Sequence, residues 1–390
     1  MILSGADNPL TAYPRISPTT LLARKQATGA AFPFDGSGFH FEYHYARNAI
    51  WALCGAWTLA GQEVLVPAYV EGVELDALLR AGVRPRFYRV DSRMRFSADD
   101  LWEHLTPNTR AVYVIHYLGF PQGIGALAEA CRQRGVLLVE DCAQALLSRS
   151  GSRPLGTFGD AAVFSFRKSL PVPDGGVLVL HQSPPGPLVP PRSPPEWPSR
   201  IAVLGSALRQ APGASWWLYP LWPTARSIAR CLLPESAASS DGAKVEPAAN
   251  LGISKISSFI LARQDLAHVF QARRANYRCL EERLRHLLPP LFALTEGVCP
   301  LLYAARVPRK QEALQLLRQV GVEAADHWPA NHPLLHGRFP EVDALHATVI
   351  GLPCQQTIPF HRMTDWADRI ASLIEENPSV FTAGSDMQTV

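Results

Sequence analysis

VLLVEDCAQ (136–144), followed closely by GTFGDAAVFSFRK (156–168), is the stretch whose reading decides the fold. VLLV is a short apolar run that ends in two acids, Glu140 and Asp141. AAVFSF (161–166) is another such run, with Ser165 at its end and Lys168 just beyond. Continuous apolar runs of this length fit strands buried on both faces, as in parallel sheets covered by helices. The spacing before VLLV predicts a helix over 123–134 that stops at Gly135.

Working towards the N-terminus, the same unit repeats. EVLVPAY (63–69) reads as a strand, GVELDALLRAG (72–82) as a helix closed by Gly82, and RPRFYRV (84–90) as a strand. SADDLWEHL (97–105) is a helix with Ser97 as its N-cap, and AVYVIHY (111–117) a further strand. An apolar helix over 49–60 opens at Tyr45-Ala46-Arg47-Asn48. GVLVL (176–180) follows AAVFSF after only nine residues, so one strand is expected to return antiparallel. The fold class is therefore α/β, a mostly parallel sheet between helices, with a smaller C-terminal α+β domain.

The chain divides by composition. Residues 1–180 form the large α/β domain, read as the cofactor-binding one. Residues 181–249 are a Pro/Trp-rich insertion or connector, with eight prolines in 182–198 and the run SWWLYPLWP at 215–223. That run is left open between core, interface and membrane-surface contact. Residues 250–390 form the small domain, beginning with one or two amphipathic helices over 253–288; the tail from 377 reads as frayed.

With 390 residues, 47% hydrophobic and 18% charged, the chain has ample core-forming sequence. A net charge of +3 without a basic stripe gives no reason to expect a nucleic-acid partner. Seven scattered cysteines with no C-x-x-C argue against a disulfide framework or zinc site and for a reducing, cytoplasmic setting. The N-terminal MILSGADNPLTAYPR has no basic segment leading into an apolar run, so no signal peptide is expected, and no stretch of 18 apolar residues appears. Lysine occurs only at 25, 168, 244, 255 and 310, so a reaction that needs an amine has five candidates.

Ligands of open α/β sheets bind beyond the carboxyl ends of the strands. Three of those ends carry unusual side chains: Asp141 and Gln144 after VLLVE, Ser165 and Lys168 after AAVF, and His116 after AVYVI. The start of the helix at Arg47-Asn48 offers backbone N–H groups to an anion. Pyridoxal 5'-phosphate needs a lysine for a Schiff base, an acid at its pyridinium nitrogen and a helix start for its phosphate. Taken singly, each residue has a plainer reading, Asp141 as a loop anchor and Lys168 as a solvated surface charge. Their combination in this order points to the cofactor.

These segments resemble the DegT/DnrJ/EryC1/StrS sugar aminotransferases, within the fold-type I pyridoxal-phosphate enzymes. The matching stretches are GQEVLVPAY, LLRAGVRPRFYRVD, LTPNTRAVYVIHYLGFP, GVLLVEDCAQALLS, GTFGDAAVFSF and the run from Lys168 to Gly175-Gly176; later, ARRANY (272–277), VGVEAADHWP (320–329) and IGLPC (350–354) fit as well. The resemblance implies that Lys168 is the catalytic Schiff-base lysine and Asp141 the partner of the pyridine nitrogen. It puts Gln144 near the ring hydroxyl, Ser165 on the phosphate, and backbone of Arg47 and Asn48 at the same phosphate. Asn250 would reach the phosphate of a neighbouring subunit, which makes a homodimer with shared sites.

The same resemblance shows a divergent member. Ala46-Arg47-Asn48 stands in place of a Gly-Ser/Thr pair, Glu71 in place of an aromatic over the cofactor, and the gap from Ser165 to Lys168 is two residues short. Tyr69 and His116 are the candidates to supply the missing ring. The implied activity is transfer of an amino group from an amino acid, glutamate being the expected donor, to a keto-sugar that is nucleotide-linked, in polysaccharide or secondary-metabolite biosynthesis. The alternatives are a cofactor-dependent sugar dehydratase, against which Lys168 argues, and a non-catalytic binding or regulatory relative.

Overall fold

The computed structural model describes residues 10–25, 31–210 and 250–382. In chain order the strands are β1 (Leu10–Thr11), β2 (Phe39–Tyr43), β3 (Glu63–Pro67), β4 (Arg84–Tyr88), β5 (Thr109–Ile115), β6 (Leu137–Asp141), β7 (Arg149–Ser150), β8 (Arg153–Pro154), β9 (Ala161–Ser165) and β10 (Gly176–Leu180). Seven of them make one sheet in the order β2-β10-β9-β6-β5-β3-β4. β3, β4, β5, β6 and β9 run parallel, whereas β10 is antiparallel to both β9 and β2. The short gap after AAVFSF thus makes the expected antiparallel return. β9 and β10 are buried at every position, because helices cover both faces.

The helices between these strands follow the sequence signals. α1 (Pro18–Leu22) is a short N-terminal turn, and α2 (Ala46–Ala56) leads into β3. α3 (Val73–Arg80) follows β3, and its last turn ends before Gly82, which has positive φ. α4 (Ala98–Glu103) is capped by Ser97, whose side chain accepts from Asp100 N. α5 (Ile124–Arg134) ends at Gly135 in the left-handed region. α6 (Phe166–Ser169) is a single turn after β9, and α7 (Glu196–Gln210) lies in the Pro-rich region. SWWLYPLWP (215–223) falls outside the described residues.

The C-terminal part contributes strands β11 (Leu302–Arg306), β12 (Val322–Glu323), β13 (Ala325–Asp326) and β14 (Val349–Pro353). β11 and β13 flank β14, both antiparallel to it. The long amphipathic segment at 253–288 is two helices, Lys255–Leu261 and Leu266–Leu284. Three features escaped the sequence reading. FHFEY (39–43) is an edge strand on β10. β1 pairs with β12, tying residues near the N-terminus to the C-terminal part. The tail from 377 is not frayed throughout: Pro378–Phe381 is a helical turn whose Val380 and Phe381 are buried.

The two parts meet beside the lysine. Arg273, fully buried on helix Leu266–Leu284, donates to Gln356 Oε1 at 2.8 Å, to the carbonyls of Pro300 and Leu301 at 3.2 and 3.1 Å, and to Ser169 O at 3.0 Å. Gln356 Nε2 donates to the same Ser169 carbonyl at 2.9 Å. The peptide after Lys168 is therefore clamped by the C-terminal part, with the planar guanidinium reaching several acceptors at once.

Candidate active site

A cavity opens where the carboxyl ends of β3, β5, β6 and β9 face the start of α2, the position expected for an open α/β sheet. Lys168, Asp141, Gln144, Ser165 and Arg47 all line it. These five sequence candidates, spread over 122 residues from 47 to 168, converge on one place. Asn48 and Asn250 do not line it.

Asp141 ends β6 and is 6% exposed. Tyr113, across the β5–β6 pair, donates to its Oδ2 at 2.5 Å, and Ala143 N donates to its Oδ1 at 2.8 Å. Burial pushes the carboxyl above its ordinary range, while those two donors pull the other way. A cation placed against it would relieve the burial penalty, which is what a protonated ring nitrogen supplies. Gln144 accepts from Leu118 N at 2.8 Å through Oε1, which leaves its amide N–H groups to donate. Ser165 ends β9 and pairs with Gly176 of β10. A Cβ on Gly176 would lie 2.2 Å from the Tyr45 carbonyl carbon, so only glycine lets β10 pass this close to the start of α2.

At the mouth, Arg47 and Arg167 both reach over the ring of Tyr45, at 4.5 and 5.4 Å from its centroid. Two guanidinium groups beside the Ser165 hydroxyl suit a phosphate. Asn48 serves differently from its expected role. Its N–H is taken by Tyr45 O at 3.0 Å, and its side-chain Oδ1 accepts from Tyr45 N at 3.2 Å, so it closes the helix start upon itself. The expected backbone contact from Asn48 to an anion is corrected on that ground. Asn250 donates from Nδ2 to the carbonyls of Val189 and Pro190, both at 2.9 Å, while its buried Oδ1 has no hydrogen-bond partner among the described residues.

Neither candidate for the missing ring faces the cavity. Tyr69 is fully buried, with its hydroxyl 2.8 Å from His327 Nδ1. His116 is fully buried too; its Nδ1 accepts from Gln122 N at 3.2 Å, so Nε2 carries the proton towards Glu140 Oε2 at 3.1 Å. Besides Tyr45, the aromatic residue at the cavity is Trp328, brought in from the C-terminal part with its ring centroid 4.6 Å from that of Tyr69. Sequence reasoning quoted VGVEAADHWP without assigning Trp328, Arg167 or Glu74 a place at the site.

Lys168 Nζ lies 2.9 Å from Glu71 Oε2. Burial alone would lower the ammonium's proton affinity, but the Glu71 carboxylate outweighs it and the net shift is upwards. Lys168 in turn holds the Glu71 carboxyl below its usual range. Glu74, one helical turn on, is 7% exposed and is pushed up to about 8 by burial, helped by the charges of Glu71 and Asp141. An amine, a buried acid, an amide, a hydroxyl and guanidinium groups around one cavity fit pyridoxal phosphate by the chemistry of their donors.

Solved structures share this architecture. One aminotransferase, TlmJ from Streptoalloteichus hindustanus, superposes with a TM-score of 0.65 at 21% identity, covering 95% of this chain and 99% of that one. PseC of Helicobacter pylori, an aminotransferase involved in the biosynthesis of pseudoaminic acid, gives 0.66 at 15% identity, covering 96% and 100%. The chain thus shares the fold of these solved aminotransferases, fold type I. Residues 49–184 match the model of the DegT/DnrJ/EryC1/StrS aminotransferase family. It is 38% identical over 121 residues to a dTDP-4-dehydro-2,3,6-trideoxy-D-glucose 4-aminotransferase of Saccharopolyspora spinosa, covering 30% of this chain and 31% of that protein. Against a GDP-perosamine synthase of Vibrio cholerae it is 30% identical over 124 residues, covering 31% and 34%. The matched segment spans about a third of the length of these curated relatives.

Proposed function

We propose that this protein is a pyridoxal-phosphate-dependent aminotransferase that moves an amino group from an amino acid, glutamate by expectation, to a nucleotide-linked keto-sugar. The observation that carries the reading is the convergence of Lys168 and Asp141 on one cavity at the strand ends. When bound, the cofactor supplies an electron-withdrawing ring that acidifies the donor's Cα–H bond. The chain's own residues do the rest. Asp141 holds a proton on the ring nitrogen. Ser165, Arg47 and Arg167 hold the phosphate, and Gln144 donates towards the ring's oxygen. The Lys168 amine would remove the proton from the donor's Cα and return it at carbon.

The family match and the names of its curated relatives support the sugar substrate. A homodimer in which Asn250 serves the partner's phosphate belongs to the same reading, supported by its place off its own chain's cavity; its Nδ2 would turn to the phosphate from the carbonyls of Val189 and Pro190. The six described cysteines are all unpaired, which supports a cytoplasmic setting, and among the described residues no helix is long and apolar enough to cross a membrane. The division into a cofactor domain (1–180), a connector (181–249) and a small domain (250–390) belongs to the same reading.

The test is Lys168→Ala in the full chain. The wild-type protein should bind pyridoxal phosphate, be fixed to it at Lys168 by borohydride, and transaminate. The variant should keep the fold and lose borohydride fixation and transamination. Fixation at another lysine, or activity retained in Lys168→Ala, would overturn the assignment. A second reading, a cofactor-free binding relative, is favoured by the Glu71–Lys168 ion pair alone, and it predicts no fixation at Lys168 under any condition.

A further inference from the structure

Glu71 stands where an aromatic plate was expected, and it is held in place from several sides. Its N–H donates to Glu74 Oε1 at 2.8 Å, and the Trp328 indole donates to its carboxylate. The next residue, Gly72, takes φ +104 as the N-cap of α3, so the side chain hangs from the start of a helix. We propose that Glu71 is a positioning residue that latches the Lys168 ammonium against the start of α3, so that an aldehyde of the pyridoxal type joins Lys168 only when this ion pair opens. The inference deepens the aminotransferase reading and rests on it for the identity of the aldehyde; the latch itself concerns the amine.

The groups around the pair leave Glu71 as the effective counter-charge. Glu74 is carried towards its neutral form by burial, and the oxygens of Asp141 already accept from Tyr113 and Ala143. Tyr13, from the N-terminal segment, and His327, behind Trp328, also lie within electrostatic range of Lys168. Arg167 and Arg47 also lie within electrostatic range of Glu71, so the carboxylate keeps cationic company when the amine leaves. The side chains of Lys168 and Glu71 are 23% and 35% exposed, which lets water and an entering aldehyde reach the pair.

The gated step balances simply. The Lys168 ammonium releases one proton to solvent, and its nitrogen lone pair forms a bond to the aldehyde carbon. The carbonyl oxygen then departs as water with the two remaining amine protons. No oxidant or reductant takes part. A carboxylate 2.9 Å from the ammonium opposes the first event by stabilising the charged form.

The experiment is competitive acetylation of the full-length protein from pH 6 to 10, with each lysine read by peptide mass. Lys25 and Lys255, both exposed, are the internal references. In the wild type, Lys168 should react at least about tenfold more slowly than Lys255 at pH 8, which is one unit of proton affinity or more. In Glu71→Gln the Lys168 profile should move down by at least about one pH unit, with the references unchanged. Equal Lys168 profiles in the two proteins would overturn the latch, and so would a wild-type Lys168 as reactive as Lys255, which needs no variant. In a parallel arm both proteins receive pyridoxal phosphate and then borohydride. Faster fixation at Lys168 in Glu71→Gln supports the latch, and equal rates overturn it. Absence of fixation at Lys168 in both proteins overturns the aminotransferase reading instead.

Discussion

Glu140 and Asp141 are neighbours in sequence and work on opposite sides of β6. Glu140 accepts from the N–H groups of Gly156, Phe158 and Gly159 at 2.8, 2.6 and 2.7 Å and from His116 Nε2 at 3.1 Å. Asp141 lines the cavity. Side chains alternate across a strand, so one acid organises the 156–159 loop while the next faces the ligand. Burial opposes the Glu140 charge, but His116 and the backbone donors win and its carboxyl sits below the ordinary range.

The two acids should therefore fail differently. Glu140→Gln removes the charge from four donors and should lower stability by about 3 kcal/mol or more, with any retained folded protein still taking up cofactor. Because its native proton affinity is depressed, the wild-type advantage is present above the ordinary Glu range and should fade as pH falls from there through the lower native one. Asp141→Asn should leave stability nearly intact and reduce turnover on the order of 10³-fold, if the lost charge pair supplies about 4 kcal/mol. Urea unfolding and steady-state rates on both variants separate the roles. An unchanged rate in Asp141→Asn would mean that another acid faces the ring.

Glu74 gives a pH signature. Its native carboxyl titrates near 8 against an ordinary 4.5. Between those values the native state holds more protons than the unfolded chain, so this group makes stability fall as pH rises through that window. Glu74→Gln should flatten the decline, with a higher unfolding midpoint than wild type at pH 8 and nearly the same midpoint at pH 4. A larger difference at pH 4 than at pH 8 would contradict the buried, neutral acid.

Much of the sheet and the chemistry was legible because both rest on local patterns. Apolar runs mark strands buried on two faces, and Asp141, Ser165 and Lys168 sit at their ends, where ligands of such sheets bind. What was not legible depends on distance. Trp328 reaches the cavity only because the C-terminal part folds over it, and nothing in HWP predicts which strand end it will meet. Asn48 reads as an anion contact from its place at a helix start, yet its side chain and N–H both turn back to Tyr45. FHFEY alternates in character and becomes a strand through pairing with β10. The two-residue bridge of β1 to β12 has no sequence signal at all.

Arg273 tests whether the C-terminal part positions the lysine. Its guanidinium joins Ser169 O to Gln356 and to two carbonyls near residue 300. Arg273→Met keeps much of the volume and leaves several buried acceptors unpaired, which should cost about 3 kcal/mol or more. Arg273→Lys keeps the charge but not the fork, so it should rescue stability in part and leave borohydride fixation at Lys168 slower than in the wild type. Full recovery of the fixation rate with lysine would mean that the charge, rather than the multiple hydrogen bonds, matters for the placement of Lys168.

The proposed dimer can be tested by mixing inactive chains. If Asn250 serves the phosphate of the partner subunit, each site joins Lys168 of one chain to Asn250 of the other. A Lys168→Ala chain and an Asn250→Ala chain, unfolded together and refolded, then form mixed dimers with one site carrying both lesions and one carrying neither. Activity should reappear in the mixture, approaching about a quarter of the wild-type value per total chain if pairing is random, since half of the dimers are mixed and each has one intact site. A site built from a single chain gives no recovery, because each chain keeps its own lesion. The amide of Asn250 already binds Val189 and Pro190 in its own chain, so Asn250→Ala is also expected to loosen the 189–192 segment. Asn250→Asp adds a charge to the test: like the alanine it cannot donate to those carbonyls or to a phosphate, and its carboxylate would in addition repel the phosphate. Cofactor affinity should therefore fall further in Asn250→Asp than in Asn250→Ala, and the reverse order would remove the phosphate from its surroundings.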